Sequence, residues 1–473
     1  MRVMISFLIS LVLLVVGYFT YGKFVEKTFG TNDLNKAPSE TMQDGVDFVP
    51  MSWPRIFLIQ FLNIAGLGPI FGAIAGALWG PAAFLWIVFG CIFAGAVHDF
   101  FTGVLSMRNK GASVADLVGK YLGDIPRKVM VVFSVVLLVL VGVVFLTGPA
   151  DLLKTLTGID RNIFIVIIII YYIAATVLPV DKIIGKIYPL FGACLLIMAV
   201  GIGAGILIEG YTIPEIQFIN FHPKGTPIFP YLFITIACGA ISGFHATQSP
   251  IMARCVRKES EARKVFYGAM IAEGVIALIW AAAAMSFFGG TPGLSEALAN
   301  GGPSTIVNTI SNTLMGKVGA VLAVLGVVAC PITSGDTAFR SARLTIADTI
   351  GMKQDKFANR FKIAIPLFIV GIALTFIDFA IIWRYFSWAN QTLAMIMLWA
   401  ASAYMVQAKK NYWICTIPAV FMSAVTSAYI LQAPEGFRLA AGISNTIGIL
   451  FALVLFVIFI RYTRKKAQEN ISE

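Results

Sequence analysis

Long apolar runs separated by short polar segments dominate the chain. The runs approach or exceed the roughly 20 residues that an α-helix needs to cross a hydrocarbon core. With 58% hydrophobic residues, 12% charged residues and a mean hydropathy of +0.86, the composition excludes a soluble globular core. The pattern predicts an all-α polytopic membrane protein with about 13 transmembrane helices, centred near residues 4–22, 56–79, 82–106, 129–148, 162–179, 187–208, 229–251, 265–288, 315–335, 361–377, 380–405, 412–431 and 441–460.

Basic residues are distributed unevenly between the alternating loops. If the N-terminus lies outside, the loops assigned to the cytoplasm hold 28 of the 35 Lys and Arg residues. This asymmetry follows the positive-inside rule and explains the net charge of +11 without a nucleic-acid partner. We expect a multi-pass protein of the cell membrane, with its N-terminus outside and its C-terminus in the cytoplasm. The first apolar segment lacks a small-residue cleavage site and is interpreted as a helix.

Two apolar segments contain residues that disfavour a continuous helix. The first is "NIAGLGPIFGAIAG" at 63–76, and the second is "GAISGFHATQSP" at 239–250. Each of these segments is followed by four further spans, so spans two to six and seven to eleven form two sets of five. An odd number of spans places the second set upside down relative to the first. Interrupted helices at matching positions of two inverted halves are the sequence signature of a transporter binding site.

The same periodicity predicts the domain organisation. We expect an extra N-terminal helix and cytoplasmic loop over 1–53, a first five-helix repeat over 54–210 and an inverted second repeat over 228–406. Two additional helices and a basic tail occupy 411–473. The resulting prediction is a five-plus-five inverted-repeat transporter fold with two broken helices.

An interrupted helix exposes backbone groups that can bind a ligand. Unpaired amides and carbonyls are costly in lipid and persist only where protein, water, an ion or a substrate satisfies them. The half-helix after a break directs its N-terminal amides at the gap, which suits a substrate carboxylate. We expect a small-molecule substrate to contact Gly66, Gly68, Ser242, Gly243, His245 and Gln248. For Gly72 and Gly76, close helix packing is an equally good explanation.

Several segments resemble the carbon starvation protein A (CstA) family. The matching segments are "VDFVP" at 46–50, "IAGLGPIFG" at 64–72, "LWIVFGCIFAGAVHDF" at 85–100, "PYLFITIACGAISGFHA" at 230–246, "EARKVFYGAM" at 261–270 and "WRYFSWANQTLA" at 383–394. The resemblance implies a secondary transporter of the amino acid–polyamine–cation superfamily that imports peptides or pyruvate during nutrient stress. The chain departs from the longer enterobacterial members by carrying Ile59 and Gln60 in place of a histidine pair.

The resemblance also implies sites on later helices. In proteins of the resembled fold, hydroxyls on the eighth core helix and carbonyls of the first broken helix hold sodium. Thr333 and Ser334, with the carbonyls of Ala65 and Gly68, occupy the corresponding places here. Hydroxyl and carbonyl oxygens suit a hard cation, although this segment is equally typical of a helix cap or kink. Asn390 and Gln391 on the tenth core helix are expected to line the cavity.

Three titratable residues are candidates for proton coupling. His245 follows the second break, Asp99 lies in the third span, and Glu273 occupies nearly the equivalent place of the second repeat. Intramembrane acids are costly, which favours a functional role. The alternatives are a packing role for His245 and a solvated structural role for Asp99. His98 has no assigned role, and the i,i+4 spacing of Asp336 and Arg340 predicts a structural ion pair.

No resident cofactor is expected, because the six cysteines are dispersed without metal-ligand spacing. The possible coupling ions are Na⁺ and H⁺. Two other functions are weaker alternatives. Ser242 and His245 could form the dyad of an intramembrane serine protease, but both lie on one helix. A passive channel would need a selectivity filter or a charge ring, and the sequence contains no such signature.

Overall fold

The computed structural model describes residues 4–45, 47–177, 181–354 and 356–472, without the side chains of 177, 181–189 and 469–472. Within these ranges the ordered elements are helical. The α-helices are α1 (Ile5–Phe19), α2 (Tyr21–Phe29), α3 (Pro38–Thr41), α4 (Trp53–Ile64), α5 (Ala73–Gly76), α6 (Ala82–Gly90), α7 (Ala96–Arg108), α8 (Val114–Leu122), α9 (Asp124–Thr157), α10 (Arg161–Val177), α11 (Asp181–Ile208), α12 (Tyr231–Thr235), α13 (Gly243–Ala253), α14 (Gly268–Phe287), α15 (Thr291–Ala323), α16 (Cys330–Ile350), α17 (Phe357–Leu374), α18 (Phe379–Gln407), α19 (Trp413–Gln432) and α20 (Ala441–Ser472).

Short π-helical turns join several of these helices. They cover Gly68–Gly72, Cys91–Gly95, Arg263–Tyr267 and Val324–Ala329. Each of the four turns extends the helix that follows it at the N-terminal end, namely α5, α7, α14 and α16, so that a longer continuous segment forms. A π turn shifts the faces of the helix around it and is frequent at functional sites.

Nine helical segments of the described residues are long and apolar enough to cross a membrane, and a tenth is the bent pair Trp53–Ile64 and Gly68–Trp79. The predicted count of 13 spans is therefore not confirmed, although helices occupy all the predicted positions that the structure describes. Neither α12–α13 nor α18 belongs to the nine. The break explains the former, and the polar pair Asn390–Gln391 lowers the hydropathy of the latter. Positions 178–179, the end of the predicted fifth span, and Val46 of the first family motif lie outside the described residues.

Helical structure extends further than expected before the ninth span. The Gly- and Pro-containing segment from Thr291 onward forms α15, which is interrupted by the non-helical conformations of Gly302 (φ 66°) and Gly316 (φ 57°). Left-handed backbone at these two positions favours glycine. Glycine here redirects a helical segment where the sequence pattern suggested a loop.

The two predicted helix breaks are confirmed. The first break covers residues 65–67 and bends the chain by 55° between α4 and the helical segment that starts at Gly68. Pro69 lies in the first turn of that segment, where its missing N–H has no cost. The second break covers residues 236–242, between α12 and α13. Each broken helix therefore consists of two half-helices, as the inverted-repeat fold requires.

The breaks pack against each other in the interior of the molecule. A Cβ atom on Gly68 would overlap the side chain of Cys238, and a Cβ atom on Gly76 would overlap Ile236. Gly72 approaches the Thr235 carbonyl and the Trp383 ring. The absence of a side chain at these positions lets the two broken helices pack closely, at Gly72 against the backbone of the other helix. Close packing and the helix break are thus features of the same segment.

Candidate functional site

Side chains of α18 form hydrogen bonds with residues on both sides of the second break. The Asn390 side-chain oxygen accepts from the Phe244 amide at 2.6 Å and from the Ser242 hydroxyl at 3.1 Å. The Gln391 amide group donates to the Phe233 carbonyl at 3.0 Å. Asn390 therefore caps the N-terminus of α13, while Gln391 satisfies a carbonyl that α12 leaves without an intrahelical partner. Both residues were expected to line the cavity, and both lie at the break with fully buried side chains.

Neighbouring side chains satisfy further backbone groups of the second break. The Trp86 indole donates to the Ile236 carbonyl at 3.0 Å. Gly95 in the π turn before α7 is so close to the Ala240 carbonyl that a Cβ atom would overlap it. Such contacts allow an irregular backbone to persist at membrane depth.

The first break is surrounded mainly by apolar groups. A Cβ atom on Gly66 would come within 2.7 Å of the Phe145 ring, and Ala65 and Leu67 are fully buried. The Cys330 thiol lies 3.6 Å from the Leu62 carbonyl, one turn before the break. The N-terminal end of α16 is therefore packed against the end of α4.

The candidate sodium residues lie in this α16 segment. Thr333 and Ser334 are buried, and the Thr333 hydroxyl donates to the Cys330 carbonyl at 2.7 Å. The sodium site formed by these hydroxyls with the carbonyls of Ala65 and Gly68 remains a prediction. Further along α16, Asp336 and Arg340 contact each other at 3.4 Å, as their i,i+4 spacing suggested.

A chain of four titratable side chains passes beside the second break. Nδ1 of His98 lies 2.8 Å from one Asp99 carboxylate oxygen, and Nδ1 of His245 lies 2.8 Å from the other. Nε2 of His245 lies 3.3 Å from a Glu273 oxygen. All four side chains have zero exposure to solvent. The His245 ring is consequently held between two carboxyl groups that come from different helices.

This cluster overturns one sequence-based alternative. Asp99 does not take a solvated position near the membrane surface, because its side chain is fully buried between two histidines. The other two proton-coupling candidates, Asp99 and Glu273, both contact His245. The sequence signal for this pair was their near-equivalent distance from the break in each repeat. His98, which had no assigned role, extends the chain.

Polar side chains also occupy the first turns of α13. The Gln248 amide group donates to the Thr247 hydroxyl at 3.0 Å, and Gln248 is almost fully buried. The Gln60 amide group on α4 lies 3.2 Å from the Ser249 hydroxyl. Gln60 thus connects the two broken helices.

The geometry argues against the protease alternative. The Ser242 hydroxyl donates to Asn390 and lies 3.5 Å from the Cys238 sulfur. Nδ1 of His245 is directed at Asp99, and Nε2 is directed toward Glu273. A serine nucleophile needs a base within hydrogen-bond reach, and this histidine is held by two acids instead.

A cavity of ≈ 920 Å³ extends along the C-terminal half of α13. It is lined by α13, α16 and the segment from α8 to the middle of α9, and Thr247 lies among its lining residues. Its charged lining residues are Asp116, Asp124, Arg127, Lys128, Arg254 and Asp348. The adjoining loops carry the basic excess that predicts the cytoplasmic side.

An aromatic layer covers the opposite end of the broken helices. The Trp383 ring lies 6.0 Å from Phe71, 5.8 Å from Phe379 and 5.3 Å from Phe386, measured between ring centroids. Phe71 belongs to the half-helix after the first break, whereas the other three belong to α18. Apolar rings are therefore packed beside the first break, whereas charged side chains line the cavity along the C-terminal half of α13.

Comparison with known proteins assigns the family. The family model described as carbon starvation protein CstA matches residues 2–155, 148–291 and 284–428. The chain belongs to the carbon starvation protein CstA family. This membership confirms the family expected from the sequence motifs.

Three relatives illustrate the breadth of this family. A Haemophilus influenzae protein named uncharacterized membrane protein is 46% identical, over 63% of this chain and 95% of its own length. The peptide transporter CstA of Campylobacter jejuni is 26% identical, over 91% of this chain and 80% of its own. The pyruvate/proton symporter BtsT of Escherichia coli is 26% identical, over 56% of this chain and 46% of its own. The latter two are named as transporters, in agreement with the expectation of a transporter and not an enzyme.

Solved structures support the fold. Mhp1, a nucleobase-cation-symport-1 family transporter, gives a TM-score of 0.54 at 15% identity, over 89% of this chain and 96% of its own. A Na⁺-coupled sialic acid symporter gives 0.53 at 14% identity, over 96% of both chains. These likenesses confirm the all-α inverted-repeat transporter fold.

Proposed function

We propose that the protein is a secondary active transporter that imports small carboxylate-bearing nutrients, short peptides or pyruvate, by alternating access coupled to protons. The supporting observation is the His245 ring, which lies between Asp99 and Glu273 directly after the second break. Histidine is the side chain whose charge changes most readily near neutral pH. A proton on this ring would alter the charge balance at the N-terminal end of α13, where substrate binding is proposed.

The charged surroundings of His245 make it a suitable coupling residue. Asp99 and Glu273 face its two ring nitrogens, and His98 faces Asp99 from the other side. Two carboxyl groups in a fully buried cluster stabilise an added proton.

The substrate is proposed to bind between the two breaks. The residues that carry this proposal are Gly66, Gly68, Ser242, Gly243, His245, Gln248, Asn390 and Gln391. Asn390 already occupies the Phe244 amide, so binding there requires α13 and α18 to separate. The cavity beside α13 supports a route to the cytoplasmic side. The distribution of basic residues between the loops supports an N-terminus outside and a C-terminus inside. A sodium ion at Thr333 and Ser334 is the alternative coupling ion.

Transport by the reconstituted protein tests this function. Proteoliposomes with an alkaline interior should accumulate labelled dialanine or pyruvate, and collapse of the pH gradient should abolish the accumulation. Accumulation that is equal with and without the gradient would exclude coupling. If a sodium gradient drives uptake and a pH gradient does not, the coupling ion is sodium and not the proton. Substrate that equilibrates across the membrane but does not accumulate under either gradient would indicate a passive channel.

His245→Gln tests the coupling residue. Glutamine retains hydrogen-bonding capacity but cannot titrate, so we expect substrate exchange to continue while pH-driven accumulation is lost. The matched control is His222→Gln, because His222 lies in the loop between α11 and α12, with its ring centroid 4.6 Å from that of Trp79. The control should accumulate substrate as the unmodified protein does. Accumulation that persists in His245→Gln would show that the histidine has a structural role.

A further inference from the structure

Three polar groups are aligned along one face of α18. Trp383, Ser387 and Gln391 are spaced at i, i+4 and i+8, and their side chains are 7%, 1% and 0% exposed. The Trp383 indole nitrogen, the Ser387 hydroxyl and the Gln391 side-chain oxygen have no hydrogen-bond partner among the described residues. Residues at this spacing lie on the same face, one helical turn apart.

Unpaired polar groups at this depth need an explanation. In proteins nearly all buried polar atoms are hydrogen-bonded, and the cost of leaving one unpaired is large away from water. Other polar groups of α18 follow the rule. The Ser402 hydroxyl donates to the Leu398 carbonyl at 2.9 Å, and the Trp388 indole donates to the Thr426 carbonyl at 3.0 Å. The open groups are therefore confined to one face.

This face lies between the two broken helices. Trp383 contacts Phe71 and approaches Gly72, both of which belong to the turn that follows the first break. Gln391 contacts the Phe233 carbonyl in the half-helix that precedes the second break. Ser387 lies one turn from each of them. A ligand that passes between these half-helices would meet the three polar groups in succession.

The chemistry of the three groups is complementary to a substrate with two different ends. The indole N–H of Trp383 can only donate, and the hydroxyl of Ser387 is free to donate. The orientation of the Gln391 amide follows from its contact, because only its NH₂ group can donate to the Phe233 carbonyl. Its oxygen is therefore an acceptor. Two neighbouring donors suit a carboxylate, and an acceptor one turn further, at about 5.4 Å, suits an N–H group.

We propose that this face of α18 is a substrate subsite, in which Trp383 and Ser387 bind a carboxylate and the Gln391 oxygen accepts an N–H from an amine or peptide group. The proposal rests on the proposed transport function and refines it. A short peptide satisfies all three groups. Pyruvate carries the carboxylate but no N–H donor, so it leaves the Gln391 oxygen unpaired.

Equilibrium binding to the purified protein in detergent tests the subsite. We expect dialanine to bind about tenfold more tightly than pyruvate, because pyruvate leaves the buried Gln391 oxygen without a donor, and an unpaired buried acceptor costs roughly that factor in affinity. Ser387→Ala should weaken dialanine binding by about tenfold, and Trp383→Phe should have a similar effect. The matched controls are Ser402→Ala and Trp388→Phe on the same helix, which should change binding less than twofold. Thermal unfolding in detergent establishes that each variant is folded.

The outcomes separate this inference from the proposed function. Equal dialanine affinities in Ser387→Ala and Ser402→Ala would overturn the subsite, while uptake by the unmodified protein would leave the transport function intact. Tighter binding of pyruvate than of dialanine would overturn the role of Gln391. Absence of binding and of gradient-driven uptake for both compounds in the unmodified protein would contradict the transport function itself, and the subsite with it.

Discussion

The two helix breaks have the same backbone role but different chemical surroundings. The first break spans three residues, with Gly66 against Phe145 and Gly68 against Cys238. The second spans seven residues and is capped by the side-chain oxygen of Asn390. The buried cluster of His245, Asp99 and Glu273 lies beside the start of α13, directly after the second break.

This difference indicates how an inverted repeat can be specialised. Both halves need an interrupted helix so that backbone groups are available at the membrane midplane. One interruption can then serve as a close-packed wall while the other carries side chains that change charge. The fold is symmetric in its backbone, whereas proton coupling is proposed for one half.

The largest expected effect is the loss of stability when a glycine next to either break is replaced by alanine. In Gly243→Ala the new Cβ atom would overlap backbone atoms of Asn390 and Ala394, which cannot move aside independently. In Gly68→Ala the obstacle is the Cys238 side chain. We expect both variants to be destabilised, by about 1–3 kcal/mol at position 68 and by more at position 243. Thermal unfolding in detergent measures the order, and a lower melting temperature for Gly68→Ala would invert the comparison.

A smaller effect is expected from removal of the cap at the second break. Asn390→Ala leaves the Phe244 amide and the Ser242 hydroxyl without their acceptor. Loss of such a cap costs about 0.5–2 kcal/mol, and substrate affinity should fall with it because α13 loses its fixed start. The control is Asn312→Ala on α15, where the side chain is exposed. If both variants unfold at the same temperature, the cap does not stabilise the second break.

The smallest expected effect concerns a pH response remote from both breaks. Glu215 accepts from the Ile5 and Ser6 amides and from the Ser6 hydroxyl, at the start of α1. Burial raises the pKa of Glu215, but these hydrogen bonds outweigh burial and hold its pKa below the ordinary value. Because the folded-state pKa is lowered, the stabilisation is complete above about pH 4.3 and is lost as the pH falls through the folded-state value.

Glu215→Gln should therefore abolish a small acid-induced decrease in melting temperature that the unmodified protein shows below about pH 4.3. Glu209→Gln, a change of an exposed carboxyl group in the same loop, should leave that decrease in place. Neither variant should change pH-driven uptake at neutral pH. A coupling defect in Glu215→Gln would show that pH sensing is not confined to the second break.

The sequence alone predicted the features that depend on local composition. Apolar run length predicted the helices, since a membrane excludes other exposed backbone structures. Glycine and proline predicted both breaks to within a few residues, because these residues act on the backbone at their own positions. The resemblance to the CstA family was also confirmed, because the motifs that carry it are short stretches of consecutive residues that can be recognised without the fold.

Tertiary structure alone determined which side chains meet. His245 and Asp99 are 146 positions apart, yet they share a hydrogen bond of 2.8 Å. Asn390 was expected to line a cavity, and only the packing of α18 against α13 shows that it caps a half-helix. The open face of Trp383, Ser387 and Gln391 is likewise invisible in the sequence, because an unpaired group is defined by the absence of neighbours among the described residues. Local composition determines where a chain bends, whereas the contacts across the bend depend on how distant helices pack.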